Sequence, residues 1–120
     1  MKKNEYNRLE MYPLPPVKKA KITIIGEFPN VEELRAGKYF ISNGADALNA
    51  TLKKFDIDLN DCYYTVACPY LMSKKNKVIP AERYSKERER IINEIKESES
   101  KIVLTLGTMA TSLLMGIKSL

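Results

Sequence analysis

The pattern of apolar and polar positions divides the chain into three short apolar runs, each followed by a longer mixed stretch. The first run, residues 21–25, is rich in isoleucine, and a continuous β-branched run predicts a strand buried on both faces of a parallel sheet. Residues 62–67 and 101–105 predict two further strands. Strands separated by connections of this length are typical of an α/β protein.

Apolar residues recur at helical spacing in the stretch that follows each strand. They predict a helix over residues 44–54, a second that begins near Pro80, and a third that Gly107 opens. Residues 26–43 are predicted to form a long loop, and the alternating charges of residues 86–90 are expected mostly to line solvent. The order β-α-β-α-β-α predicts a three-layer αβα fold around a parallel sheet, with right-handed crossovers.

The N-terminal segment has a different character from the rest of the chain. Pro13, Pro15 and Pro16 exclude both a helix interior and a central strand. Residues 1–20 are therefore predicted to form an extended arm, and residues 21–120 a single α/β domain, as a chain of this length allows.

Composition narrows the choice of partners and cofactors. A net charge of +5 favours polyanions as binding partners, although a solvated basic surface explains the charge equally well. No apolar run approaches the roughly 18 residues that span a bilayer, and the N-terminus lacks a secretory apolar region, so we expect no membrane partner and a cytoplasmic location. The chain has no histidine, and Cys62 and Cys68 fit no zinc spacing, so no metal or other cofactor is predicted.

The turn after the first predicted strand carries the candidate chemistry. Its residues are Gly26-Glu27-Phe28-Pro29-Asn30. Ligands of open parallel sheets bind beyond the carboxyl ends of the strands, so this turn is expected to face a ligand. A carboxylate here either orients water or caps a local turn, and the residue pattern leaves both open.

Two later segments are expected at the same edge of the sheet. Lys74, Lys75 and Lys77 follow the second strand and either contact phosphate or form a solvated loop. Gly107 is expected to form a tight strand-to-helix turn, and the free N–H groups at Gly107 and Thr108 offer a phosphate site.

Three segments together suggest a family. They are the Gly26–Asn30 turn, Gly37-Lys38-Tyr39-Phe40-Ile41 with Asn43-Gly44, and Leu104-Thr105-Leu106-Gly107 with Ala110. In this order and spacing, over about residues 21–117, they resemble the uracil-DNA glycosylase superfamily, above all the branch with a G-E-x-P-G motif. Glycosylase-like domains of some bacteriophage DNA polymerases are also similar.

The resemblance implies a four-stranded parallel sheet with DNA across the carboxyl ends of its strands and a target base flipped into a pocket. By motif match, Glu27 would hold the attacking water and Phe40 would stack on the base. Other positions implied at the base are Gly26, Phe28, Pro29 and Thr65. Those expected to contact phosphate are Asn43, Lys74, Lys75, Lys77, Gly107 and Thr108.

The sequence also departs from the family's pattern. Asn30 replaces the second glycine of the first motif, and Thr65-Val66-Ala67 offers no carboxamide where the family reads the uracil edge with an asparagine. The last strand with its His-Pro pair is absent, as are the four cysteines of the branch's iron–sulfur cluster. The expected fold is therefore short by one strand, and its open edge is expected to pair with a second copy or with a larger polypeptide.

These features lead to three hypotheses. The first is a DNA-associated glycosylase-like domain of a replication or repair protein, which binds a single strand or a flipped base with reduced or no glycosylase activity. The second is an active uracil-DNA glycosylase that uses Glu27 to position water. The third is a small nucleotide-binding or protein-interaction module on the same scaffold.

Overall fold

The computed structural model describes residues 16–29, 33, 43–69, 79 and 81–116. Within them the predicted alternation of strands and helices is confirmed, with boundaries close to those expected. The prediction of a loop between the first strand and first helix is wrong at Glu33, which is helical and buried. In chain order the elements are β1 (Ile22–Gly26), α1 (Asn43–Lys53), a 3₁₀ turn (Leu59–Asp61), β2 (Tyr63–Val66), α2 (Ala81–Ser98), β3 (Ile102–Thr105) and α3 (Thr108–Met115).

The three strands form one parallel sheet in the order β2-β1-β3. In the register of the sheet, Ile24 lies opposite Tyr64 on one side and Leu104 on the other. The central position of β1 explains why its residues are almost all buried, because both its edges are paired and both its faces are covered. The expected parallel α/β sheet is thus confirmed.

Helices cover the two faces of the sheet in three layers. Ile24 points to the face where Leu52 of α1 packs. Its neighbour Ile25 points to the opposite face, against Ile91 of α2 and Leu113 of α3. Adjacent strand residues alternate between faces. One crossover runs from β1 to β2 and the next runs back from β2 past β1 to β3, and right-handed crossovers of opposite direction place their helices on opposite faces.

The charged segment of α2 differs from its prediction. Residues 86–90 were expected mostly to line solvent, but Glu87 is 6% exposed and the Arg90 side chain 19%. The buried face of α2 contains Glu87, Ile91 and Glu94, which are spaced by about one helical turn. The prediction is therefore wrong for Glu87 and Arg90, because it used residue type where helical phase decides burial.

The described end of the N-terminal arm runs along the amino ends of the strands. The Ala20 N–H donates to the Ser98 carbonyl over 3.1 Å, Lys18 donates to the Asn60 carbonyl, and Lys19 forms an ion pair with Glu99. Residues 1–15 lie outside the described part of the chain. The division into arm and domain stays a prediction.

Beyond β1, the β3 strand has no partner strand among the described residues. Ile102 at the start of β3 is 57% exposed. Pairing of this edge with another chain stays a prediction. None of the helices in the described segments is long and apolar enough to cross a membrane.

Candidate functional site

The carboxyl ends of all three strands meet around the turn that follows β1. The Cys68 N–H, just beyond β2, donates to the Glu27 carbonyl over 2.9 Å, and the Leu106 N–H, just beyond β3, donates to the Ile25 carbonyl over 2.8 Å. The chain leaves β1 toward β2 and returns on its other side as β3, which is the switch in strand order where open α/β sheets form a crevice. Glu27 lies at that switch.

The side chain of Glu27 is held by the first turn of α3. Its Oε2 accepts a hydrogen bond of 2.9 Å from the Met109 N–H, across 82 positions of sequence. A carboxylate near the positive end of a helix dipole typically gains about 0.3 to 1 kcal/mol. The acid therefore caps a helix that is distant in sequence.

Gly107 allows this contact because it has no side chain. Its φ of 97° lies in the region that favours glycine, and a Cβ at this position would overlap Glu27 Oε2 and lie 2.6 Å from its Cδ. Gly107 thus forms the surface on which the carboxylate of Glu27 rests.

Gly26 makes a second close contact, on the α1 face of the crevice. A Cβ at Gly26 would overlap the Tyr64 hydroxyl and lie 3.0 Å from its Cζ. The tyrosine reaches this point because it stands opposite Ile24 in the register, two residues before Gly26. Glycine is thus needed at the end of β1 so that the Tyr64 ring can cover the backbone.

Phe28 and Pro29 lie on the side of the crevice near the end of β2. The partly buried Phe28 packs against the buried Cys68, and the Pro29 side chain is fully buried. The first motif thus places Gly26, Glu27, Phe28 and Pro29 along one edge of the sheet.

Thr65 points away from that edge. Its side chain is fully buried, and its hydroxyl accepts a hydrogen bond of 3.3 Å from Arg90 Nη1. Because Arg90 belongs to α2, the Thr65 hydroxyl lies between the sheet and that helix. Its role at a base edge stays a prediction.

A buried ion cluster fixes the end of β2, and sequence reasoning missed it. Arg90 donates to Glu87 Oε1 and Glu94 Oε2, each over 2.8 Å, and to the carbonyls of Val66 and Ala67 over 2.6 and 3.3 Å. Burial lowers the pKa of Arg90, but the carboxylates of Glu94 and Glu87 outweigh it, so the pKa is raised overall. The guanidinium stays charged and holds the strand end that borders the crevice.

The remaining predicted site residues begin helices or lie outside the described part of the chain. Asn43 begins α1, and Thr108 is the exposed first residue of α3. Phe40, Lys74, Lys75 and Lys77 lie outside the described residues, so their roles stay predictions. The described residues contain no group of acids and cysteines arranged to hold a metal ion.

A second concavity lies at the opposite edge of the sheet. This groove of about 740 Å³ is bounded by the arm, the turn before β2 and the end of α2. Four lysines and four acids line it, and two of them, Lys19 and Glu99, pair with each other. Its balanced charge gives it no preference for a polyanion.

The buried thiol of Cys68, beside the crevice, is expected to make the stability of the fold depend on pH. Burial, aided by the charge of Glu87, raises its pKa from 9.0 to about 12. A thiol whose pKa is higher in the folded state stabilises the fold fully below pH 9, and this contribution is lost as pH rises toward 12. We expect Cys68→Ala to lower stability at neutral pH but to flatten the decline above pH 9, measured by urea unfolding at several pH values. An equally steep decline in the variant would contradict this assignment.

The fold and the crevice define the class of protein: a three-layer α/β domain with an acid-bearing site at the carboxyl edge of a parallel sheet. More specifically, the chain belongs to the uracil-DNA glycosylase superfamily, since the family model of that description matches residues 13–120. No protein among the curated sequences matches the chain.

Proposed function

We propose that this chain is a DNA-associated, uracil-DNA glycosylase-like domain that binds DNA across the carboxyl edge of its sheet with reduced or no base excision. Family membership supports the DNA partner. The observation that carries the weak-excision part is the hydrogen bond between Glu27 Oε2 and the Met109 N–H. A carboxylate engaged by a helix has one oxygen fewer for an attacking water.

The crevice suits an extruded base better than a duplex. An enzyme or binder that reads one base takes it out of the stack and encloses it between apolar surfaces. Gly26, Phe28 and Pro29 supply the start of such a pocket, and Phe40 is proposed as its stacking ring. The proposed phosphate contacts are Asn43, Lys74, Lys75 and Lys77, which would track the backbone of a single strand.

The surroundings of Glu27 disfavour efficient chemistry. The Thr65 hydroxyl, proposed to read the base, is already bonded to Arg90. The sequence has no histidine to stabilise the negative charge that develops on a departing base, a type of interaction whose loss typically costs about 3 to 4 kcal/mol. These features favour DNA binding over base excision as the function of this site.

An active uracil-DNA glycosylase is the second candidate. It is favoured by Glu27 Oε1, which accepts no hydrogen bond from any residue in the described segments. That oxygen is available to orient water.

A cytoplasmic location, a role in replication or repair and a bacteriophage relationship stay predictions.

Binding and excision are tested with labelled single-stranded oligonucleotides that contain one uracil. We expect binding that weakens with salt, and the triple variant of Lys74, Lys75 and Lys77 to alanine should reduce the log–log salt slope by about 2. The matched control replaces Lys19, Lys21 and Lys101, which lie at the opposite edge, and should leave the slope nearly unchanged.

The same oligonucleotides separate the alternatives. Uracil release that Glu27→Gln abolishes would establish the second candidate and overturn the weak-excision part. Equal losses in both lysine triples would mean that charge alone drives binding. No binding at low salt would reject the DNA partner and favour a nucleotide-binding or protein-interaction module.

A further inference from the structure

We infer that Gly107 and the Met109 amide are positioning groups for Glu27, which hold its Oε2 against α3 and leave Oε1 as the acceptor that the crevice presents. The ligand that meets Glu27 is therefore a hydrogen-bond donor, either water or the N–H edge of an extruded base, and not a phosphate. The base part of this inference rests on the proposed function, whereas the positioning part stands on the geometry of the chain.

Two independent features hold the carboxylate. The Met109 N–H provides a directed hydrogen bond of 2.9 Å to Oε2. Gly107 provides the space, because any side chain there would occupy the position of the carboxylate. One group sets the direction and the other allows the approach, so both are needed for a single orientation of Glu27.

The main chain around Glu27 limits other orientations. The Glu27 carbonyl accepts from the Cys68 N–H, and the residue before it, Gly26, accepts from the Ala67 N–H over 2.8 Å. The backbone of Glu27 is hydrogen-bonded to the segment just beyond β2, and its side chain is hydrogen-bonded to α3. Glu27 therefore connects the end of β2 to the start of α3. Because Glu27 is held at both its backbone and its carboxylate, its side chain has little freedom to change rotamer when a ligand binds.

The same arrangement closes the N-terminus of α3 to phosphate. Free N–H groups at the start of a helix attract anions, but here Glu27 already supplies the negative charge. An approaching phosphate would meet a like charge resting on Gly107. Gly107 is thus reassigned from a phosphate contact to a positioning residue.

Amide NMR tests the positioning without any ligand. In the ¹⁵N-labelled wild-type chain, the Met109 amide shift should follow the titration of one carboxyl group, and Glu27→Gln should remove this dependence. Glu82→Gln is the matched control, because Glu82 is an acid in the first turn of α2 and should leave the Met109 curve unchanged. A Met109 shift that still titrates in Glu27→Gln would overturn the inference.

Glu27→Asp gives a variant that keeps the charge but shortens the side chain by one methylene. We expect it to fold, to lose the Met109 response and so to separate reach from charge. Inorganic phosphate should cause no saturable shift of the Thr108 and Met109 amides in the wild type. A saturable shift would show that the helix N-terminus is open to phosphate and would overturn the inference.

A binding experiment compares the affinities for single-stranded oligonucleotides that carry uracil or thymine at one position. We expect Glu27→Ala to reduce the preference for uracil by about tenfold, and Gly107→Ala to cause a similar loss, with no further loss in the double variant. Independent, additive losses would reject action through Glu27. If no variant or wild type binds DNA, the proposed function fails while the NMR result still decides the positioning.

Discussion

Replacement of Arg90 by methionine is expected to lower the free energy of unfolding by about 3 to 5 kcal/mol, the typical cost of removing one partner from a buried ion cluster. The variant removes the ion pair of Glu94 with Arg90 and leaves Glu87 with only its longer pair to Arg83, at 3.9 Å. It also removes the donors to the carbonyls of Val66 and Ala67. Urea unfolding followed by circular dichroism measures the change.

Two controls distinguish the ion cluster from a general effect on α2. Lys86→Ala changes an exposed residue of the same helix and should stay within about 0.5 kcal/mol of the wild type. Adding Glu87→Gln and Glu94→Gln to Arg90→Met should recover part of the loss, because the buried charges are then gone. If Arg90→Met costs no more than Lys86→Ala, the cluster is not a determinant of stability.

Gly26→Ala is expected to cost about 1 to 3 kcal/mol, the range typical of overpacking in a well-packed site. The added methyl group would occupy the position of the Tyr64 hydroxyl. In a Tyr64→Phe background the nearest atom becomes the ring Cζ at 3.0 Å, so the same substitution should cost less by about 1 kcal/mol or more. A double-mutant cycle of unfolding free energies gives this coupling.

The cycle has a clear contrary outcome. An equal cost of Gly26→Ala in both backgrounds would mean that Tyr64 does not cover the end of β1. In that case the α1 side of the crevice would be wider than described, and Gly26 would have another role.

The elements and layers of the fold were predictable because local pattern determines them. Consecutive apolar residues such as Ile24 and Ile25 must face opposite sides of a strand, which requires a covering layer on each face. The spacing of Glu87, Ile91 and Glu94 also places these three residues on one face of α2, so helical phase predicts their burial although two of them are acids. The residue that pairs with them, Arg90, lies three and four positions from the two acids, a spacing visible in the sequence.

The partner of Glu27 was not predictable, because it depends on how distant parts of the chain meet. Met109 provides a backbone N–H, which every residue except proline possesses, so no residue type marks it. The same holds for the Tyr64 hydroxyl over Gly26, which requires the register between β1 and β2. The hydrogen bond that Arg90 donates to the Thr65 hydroxyl is a further example, because it joins β2 to α2.

The sequence by itself determined the three strands, the helices between them, the family and the acid at the end of the first strand. These depend on periodicity and on short motifs, which are local properties. Only the tertiary structure decided that Glu27 caps α3, that Gly107 makes room for it and that Arg90 secures β2. Such contacts join residues that the strand order brings together, and their geometry follows from the packing of whole elements.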